Sequence, residues 1–386
     1  MSDQYQDIRP YRDNEVEQVL ERLGRSPELL AALVRFRYPF TPDWLIGGIS
    51  AFLGWRLRRH LVSVRSVPEF QEWLREWIAT LVQSTTGQVQ VTGLDQLGSP
   101  RPYLMLSNHR DIAMDPTMIN YALMTHAWPT AEIAIGDNLL QNPVLSDVMR
   151  LNKAFLVKRS AAMGKREKLT EMQRLSAYIR DTLAQGHSVW LAQREGRAKD
   201  SRDHTDKAVL KMLALSGRED GIGFTGSLER LEPLPVAVHY EWDPCDVFKA
   251  RELVARERTG QYEKEAGEDT RSLLAGMKGY KGQVRISFGK PLTVADMETP
   301  EIMAAAVDRQ ILAMTPVYSN SYAALWILQQ KFSMLTELST RPGTPDQSDV
   351  DELMRRCEGE ERDIVIRLLK NYAAPLIPVT ERSATR

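Results

Sequence analysis

Cysteine is scarce here, with Cys245 and Cys357 alone among 386 residues. That excludes a disulfide-stapled scaffold and a thiolate metal cluster, and it predicts a reducing compartment. No apolar run approaches the roughly 18–20 residues of a membrane-spanning helix. The first thirty residues are polar and acidic, unlike a secretory leader, so the expectation is a cytoplasmic protein, soluble or peripheral on the inner face of the cell membrane. Charge does not lean either way: 50 Lys and Arg face 51 Asp and Glu. A nucleic-acid partner, which calls for a basic excess, is therefore not expected. Gly-x-Ser-x-Gly and Gly-x-Gly-x-x-Gly are both missing, and Ser50 lacks flanking glycines. With no placed serine or cysteine nucleophile and no metal-spaced cluster, neither an acyl-enzyme nor a bound cofactor or metal is expected.

What is present is ordered. Residues 1–87 predict a helical region, with apolar spacing of three and four over Asn14–Leu23 and Pro27–Val34. Within it, Trp44 through Trp55 is too short to span, has tryptophans at both ends, and runs into Arg56, Arg58, Arg59 and Arg65. Aromatic ends with a basic flank suit a helix lying on an anionic leaflet; the same pattern also suits a buried helix packed on the next one. From 88 to 295 short apolar runs alternate with helical stretches: Gln88–Thr92, Tyr103–Leu106, Ala131–Ile135, Ala154–Val157, Ser188–Ala192, Leu234–His239 and Val284–Phe288. The expected fold is α/β, a mostly parallel sheet flanked by helices, with helical N-terminal and C-terminal extensions. Residues 250–282, highly charged with scattered glycines, read as a solvated excursion between strands. Residues 296–386 read as a helical C-terminal region, split at Arg341–Pro345 and frayed over its last ten residues.

Chemistry concentrates in Ser107-Asn108-His109-Arg110-Asp111-Ile112-Ala113-Met114-Asp115-Pro116, directly after the apolar run Tyr103–Leu106. The end of a strand is where open α/β sheets carry their sites, and a histidine oriented by a carboxylate is a simple general base. Without an enzyme nucleophile, that base would activate a hydroxyl of the substrate. On a regular helix, residues six apart lie about 240° apart around the axis. Either a loop or wide turn brings Asp115 to His109, or Asp111 is the partner. Pro116 favours the loop, because it suits an opening helical position with Asp115 as N-cap.

Four blocks in order resemble the glycerolipid acyltransferase superfamily, whose best-known members acylate glycerol-3-phosphate and lysophosphatidic acid. They are Asn108-His109 with Asp115; Asn152–Arg159; Gln193-Arg194-Glu195-Gly196-Arg197; and Pro233–Val238. The fuller wording, with Tyr240–Asp246, is similar to a PlsC-like bacterial branch of that superfamily. The resemblance implies an O-acyltransferase that moves a fatty acyl group from coenzyme A or acyl carrier protein to a hydroxyl of a glycerol-phosphate or lysophospholipid-type acceptor at a membrane surface. It implies His109 as base and Asp115 as its orienter. The substrate-binding set it implies is Asn108, Arg110, Lys158, Arg159, Glu195, Gly196 and Arg197. Within that set Lys158, Arg159 and Arg197 would hold an anionic head, and an amide near Gly196 would steady the oxyanion. Two departures stand out: five residues separate His109 from Asp115 where the family has four, and the third block lacks the usual proline and threonine. A thioesterase or lipid hydrolase on the same site, and a non-catalytic lipid-binding protein, are the alternative readings.

Overall fold

The protein is described by a computed structural model covering residues 4–38, 40–137, 142–158, 163–218, 220–265, 267–335 and 345–377. Among these residues seven strands lie in one sheet: β1 (Gln88–Thr92), β2 (Leu104–Ser107), β3 (Glu132–Gly136), β4 (Ala154–Val157), β5 (Val189–Ala192), β6 (Pro233–Tyr240) and β7 (Gln283–Phe288). Their order is β1-β7-β6-β2-β5-β3-β4. The β1–β7, β2–β6, β3–β4 and β3–β5 pairs are parallel, and β6–β7 is antiparallel. Each expected strand forms, displaced by a residue or so at its ends. The α/β reading holds. Chains of this kind bury both sheet faces, which is why β2 is enclosed at every position and β6 at all but its last.

Contact density divides the chain into two compact units. One comprises residues 1–79 with 130–190, the other 80–129 with 191–386.

In the first unit, α1 (Asp13–Gly24), α2 (Pro27–Arg37), α3 (Asp43–Leu61) and the start of α4 (Val67–Thr85) realise the predicted helical region. Ser26 caps α2 by accepting from the Leu29 amide at 3.2 Å, and Pro27 occupies the first turn where its missing N–H is harmless. Val16, Val19, Leu20 and Leu23 pack with Leu61, Val67, Phe70 and Leu151 in a small core. The unit also holds α6 (Pro143–Leu151) and α7 (Lys165–Ala184). The latter stops just before Gly186, which takes φ +89.

The second unit adds α5 (Met114–Thr125), three short helices α8 (Lys207–Leu213), α9 (Leu215–Arg218) and α10 (Phe224–Glu229), then α11 (Asp246–Thr259) and α12 (Glu268–Lys278). The segment 250–282 is helical, as α11 and α12, and the expectation of a solvated excursion is wrong at its start, while most described residues of 255–280 are exposed or half-buried. Lys249, Ala250, Glu252 and Val254 of α11 are buried, their charges matched by partners such as Lys199 and Asp243. High charge was read as exposure, whereas ion pairing let these side chains go inside. The C-terminal helices are α13 (Pro300–Met314), α14 (Ser319–Phe332), α15 (Gln347–Arg356) and α16 (Arg362–Ala373). Their core joins Ala324, Leu328, Leu353 and Leu369 to Trp242 and Ala250. The expected break at Arg341–Pro345 and the frayed last ten residues lie almost wholly outside the described residues. Among the described residues no helix is long and apolar enough to cross a membrane.

Candidate active site

Strands β2 and β6 run side by side in register, Ser107 opposite Val236. Past the end of β2, Asn108 continues the pairing with its side chain. Its Nδ2 donates to the Val238 carbonyl at 3.1 Å, and its Oδ1 accepts from the Val238 amide at 2.8 Å. This reciprocal clamp fixes where the next residue emerges. His109 Nδ1 then lies 2.8 Å from Asp115 Oδ2. An ionised carboxylate can only accept, so Nδ1 carries the proton and Nε2 is the basic nitrogen. Asp115 is fully buried, while the His109 side chain keeps 16% of its exposure. The ring is reachable; its orienter is not.

The surplus residue between the two is absorbed before the helix. Asp115 Oδ2 also accepts from the backbone amides of Arg110 at 2.5 Å and Asp111 at 2.9 Å, a tight anion-binding turn. Asp111 accepts from the Ala113 amide at 3.0 Å and the Met114 amide at 2.8 Å, capping α5. The capping assignment is thus corrected: Ala113, not Asp115, is the N-cap residue, and Asp115 sits in the first helical turn. Asp111's carboxylate takes over the capping, which leaves Asp115 available to the ring. Burial, and then Asp115 beside it, push the Asp111 carboxyl above its ordinary range.

Four residues without a role in the sequence reading, Tyr240, Asp203, Lys249 and Asp243, complete this centre. Tyr240, the last residue of β6, donates its hydroxyl to Asp115 Oδ1 at 2.8 Å. Burial and the Asp115 charge push that phenol well above its ordinary value, so it stays a donor. Arg110 Nη2 donates to Asp203 Oδ2 at 2.5 Å. Burial alone would raise Asp203, but the Arg110 guanidinium outweighs it and holds the carboxyl below its usual range. Lys249 of α11, buried, donates to the Arg110 carbonyl at 2.7 Å and pairs with Asp243. Asp203 was invisible because nothing distinguishes it from neighbouring charges. Tyr240 and Asp243 stood in a quoted block, Tyr240–Asp246, and only the adjacency of β6 to β2 shows their use.

The third block forms a turn pinned to the first, with the Ala198 amide donating to the His109 carbonyl at 2.7 Å. Gly196 adopts φ +74, and open space surrounds the position a Cβ would take. Arg194 contacts His204 at 3.0 Å and the Arg197 carbonyl at 3.3 Å. Glu195 is exposed; Arg197 is half-buried and its Nη1 has no hydrogen-bond partner among the described residues. Lys158, in the other compact unit, pairs with Asp7 at 2.7 Å and Glu171 at 3.4 Å. Asp7 is held below the ordinary carboxylate range by Arg174 first and by Lys158. Arg159 lies outside the described residues. Among the described residues no group of three His, Cys, Asp or Glu side chains is placed to hold a metal ion.

Residues 88–216 match the family model described as Acyltransferase. The chain is 23% identical over 231 residues to a glycerol-3-phosphate acyltransferase of Pseudomonas syringae pv. tomato, covering 60% of this chain and 26% of that protein. It is 24% identical over 248 residues to the protein of the same name from Pseudomonas syringae pv. syringae, covering 64% and 28% respectively. The chain thus spans about a quarter of the length of the curated relatives it matches. Among solved structures, the 1-acyl-sn-glycerophosphate (LPA) acyltransferase PlsC from Thermotoga maritima aligns with 76% of this chain and 92% of its own, at 13% identity and a TM-score of 0.39. The His109–Asp115 pair, the Asn152–Arg159 block and the pinned Gly196 turn all fall inside the matched residues. Residues 88–216 are thus similar to an acyltransferase domain, and the curated relatives that the chain resembles are glycerolipid acyltransferases.

Proposed function

We propose that the protein transfers a fatty acyl group from a thioester, carried by coenzyme A or acyl carrier protein, to a hydroxyl of a glycerol-phosphate or lysophospholipid-type acceptor. The observation that carries this is the 2.8 Å contact between a reachable His109 ring and a buried Asp115. His109 Nε2 takes the proton of the acceptor hydroxyl as its oxygen attacks the thioester carbonyl carbon. The C–O bond forms, the carbonyl electrons move to oxygen, and collapse breaks the C–S bond. The imidazolium then returns its proton to the departing thiolate. Asp115 holds the ring and stabilises the imidazolium, as in a hydrolase triad whose nucleophile is supplied by the substrate. The amide near Gly196, in the turn tied to His109, is our candidate for the oxyanion, a contribution of roughly 3–4 kcal/mol in such sites. Arg197 is the candidate for the acceptor's anionic group. Lys158 and Arg159 belong to that role by family resemblance, and Lys158 would first have to exchange its contact with Asp7.

The exposed face of α3 supports a peripheral membrane protein. On α3 the exposed residues Trp44, Gly48, Phe52, Trp55 and Arg59 recur at intervals of three and four, an apolar stripe with a basic end. Trp44 is 80% exposed, and exposed aromatic rings in such number suit the headgroup boundary of an anionic leaflet. The decisive experiment incubates labelled acyl-thioesters with a panel of lysolipids and separates the products. Acylated lipid formed by wild type and not by His109→Ala is the expected result. Free fatty acid regardless of acceptor would replace this reading with hydrolysis, and equal product from both proteins would end it.

A further inference from the structure

Helix α12 lies outside the residues matched by the family model, yet it reaches the turn that carries His109. Its Gly276 is buried and sits against Asp111. A Cβ at Gly276 would stand 2.7 Å from Asp111 Cγ and 2.8 Å from Oδ1, and closer still to Oδ2. Side chains do not tolerate approaches that short, so only glycine lets the helix and the carboxylate meet. Asp111 Oδ2, buried and without a hydrogen-bond partner among the described residues, faces this bare backbone.

Neither side can step back cheaply. Asp111 is 3% exposed, and its Oδ1 is held by the Ala113 and Met114 amides. Helix α12 is tied at three points. Buried Cys245 donates its Sγ proton to the Ser272 carbonyl at 3.3 Å, one turn before Gly276. At Gly279 a Cβ would meet Pro244 Cβ at 2.5 Å, so that end is in close contact as well. Lys281, fully buried, donates from Nζ to the Gly279 carbonyl at 2.7 Å. Asp111 in turn bears on the base. Its amide donates at 2.9 Å to Asp115 Oδ2, the oxygen that meets the His109 ring. An extra methyl in such a place is accommodated by shifts of side chain and backbone, and the backbone that would shift here is the one that holds Asp115.

We propose that Gly276 is a positioning residue for the His109–Asp115 pair, acting through the Asp111 side chain, so that a helix beyond the matched domain sets the geometry of the base. The proposal deepens the acyl-transfer reading and rests on it for its kinetic readout alone.

The test compares wild type, Gly276→Ala, Asp111→Ser and the double variant, each as the full chain. The readouts are thermal melting, nitrogen NMR of the labelled His109 ring, which reports the hydrogen bond at Nδ1, and steady-state kinetics. Asp111→Ser removes the end of the side chain that a methyl at Gly276 would strike and keeps an oxygen for the cap. Gly276→Ala should lower kcat about 100-fold, the loss that a displacement of about 1 Å brings. KM should change little, and the His109 resonances should move. In the Asp111→Ser background the same alanine should alter neither kcat nor the resonances, because the two positions act as one. Equal losses in both backgrounds, or full kcat with unmoved resonances in Gly276→Ala, overturn the proposal. If Gly276→Ala alone does not fold, the double variant decides. Folded and equal to Asp111→Ser, it upholds the contact; unfolded, or further reduced, it refutes it. Where kcat is too low to compare, the resonances decide in the same way. Resonances that move as expected in a protein whose wild type transfers nothing would sink the acyl-transfer reading and keep the positioning role.

Discussion

Tyr240, at the end of β6, and His109, just past the end of β2, grip the same carboxylate: the Tyr240 hydroxyl donates to Asp115 Oδ1 at 2.8 Å, and the His109 ring meets Oδ2 at 2.8 Å. A buried carboxylate with every partner in place stays ionised and immobile. Tyr240→Phe removes one oxygen and leaves Asp115 Oδ1 short of its donor. We expect kcat to fall about 10- to 100-fold with KM little changed, and stability to drop about 1–2 kcal/mol. Full kcat in the Tyr240→Phe protein would show that the hydroxyl is dispensable.

The two aspartates of the segment should separate cleanly. Asp115→Asn reverses the hydrogen-bonding preference at Nδ1 and should reduce kcat by about 10⁴-fold, the loss seen when a triad's orienting acid is so changed. Asp111→Asn retains an oxygen for the Ala113 and Met114 amides and should keep kcat within about tenfold. Parallel steady-state kinetics decide it, and a dead Asp111→Asn would reassign the orienter.

Asp111 also predicts a stability effect. Its folded carboxyl is raised by burial and by Asp115. The unfolded chain therefore releases this proton at lower pH than the folded one, so stability falls as pH rises from the unfolded value toward the folded one. Asp111→Asn removes that loss. Its melting temperature should equal or trail wild type near about pH 4 and exceed it near about pH 7, a crossover that differential scanning calorimetry would register. The opposite order at neutral pH would mean that Asp111 is a stabilising charge.

Lys249 ties α11 to the His109–Asp115 turn through the Arg110 carbonyl and Asp243. Lys249→Met strands that carbonyl and leaves Asp243 unpaired. Breaking a buried pair costs about 3–5 kcal/mol, and Asp243 keeps 26% side-chain exposure, so we expect the lower end. Urea unfolding would measure it. A change within about 0.5 kcal/mol, the range of ordinary surface substitutions, would show that the pair carries no weight.

On α3, Phe52 stacks with Trp55 at 6.0 Å between ring centroids, and Arg59 lies over Trp55 at 5.6 Å. Each buried aromatic contributes roughly 1.5–3 kcal/mol. Replacing Trp44, Phe52 and Trp55 by alanine should abolish flotation with anionic vesicles. Arg56→Glu with Arg59→Glu should weaken it on anionic vesicles and much less on neutral ones, and salt should mimic that effect. Flotation unchanged in all variants would refute membrane contact through this helix.

Much of the fold was legible because local pattern and tertiary need coincide. The apolar run Tyr103–Leu106 reads as a buried strand, and the enclosed strand forms there, one residue on at each end. The residues of the candidate base, His109 and Asp115, were legible for the same reason: they follow a strand end within ten positions. The cap was misplaced by two residues because Asp111 and Asp115 are chemically alike, and the backbone path alone assigns one to the helix and one to the ring.

What the amino-acid order determined by itself, then, was the alternation of strands and helices, the strand end that bears His109, and the aromatic and basic character of α3. These depend on periodicity and on short spacings, which act within a few residues. Only the tertiary structure decided that Tyr240, 125 residues from Asp115, holds it, that Asp203 neutralises Arg110, and that Lys158 is occupied by Asp7 from 151 residues away. Such contacts follow from which strands lie side by side and which helices pack on them. No spacing along the chain encodes that; the burial of a whole sheet does.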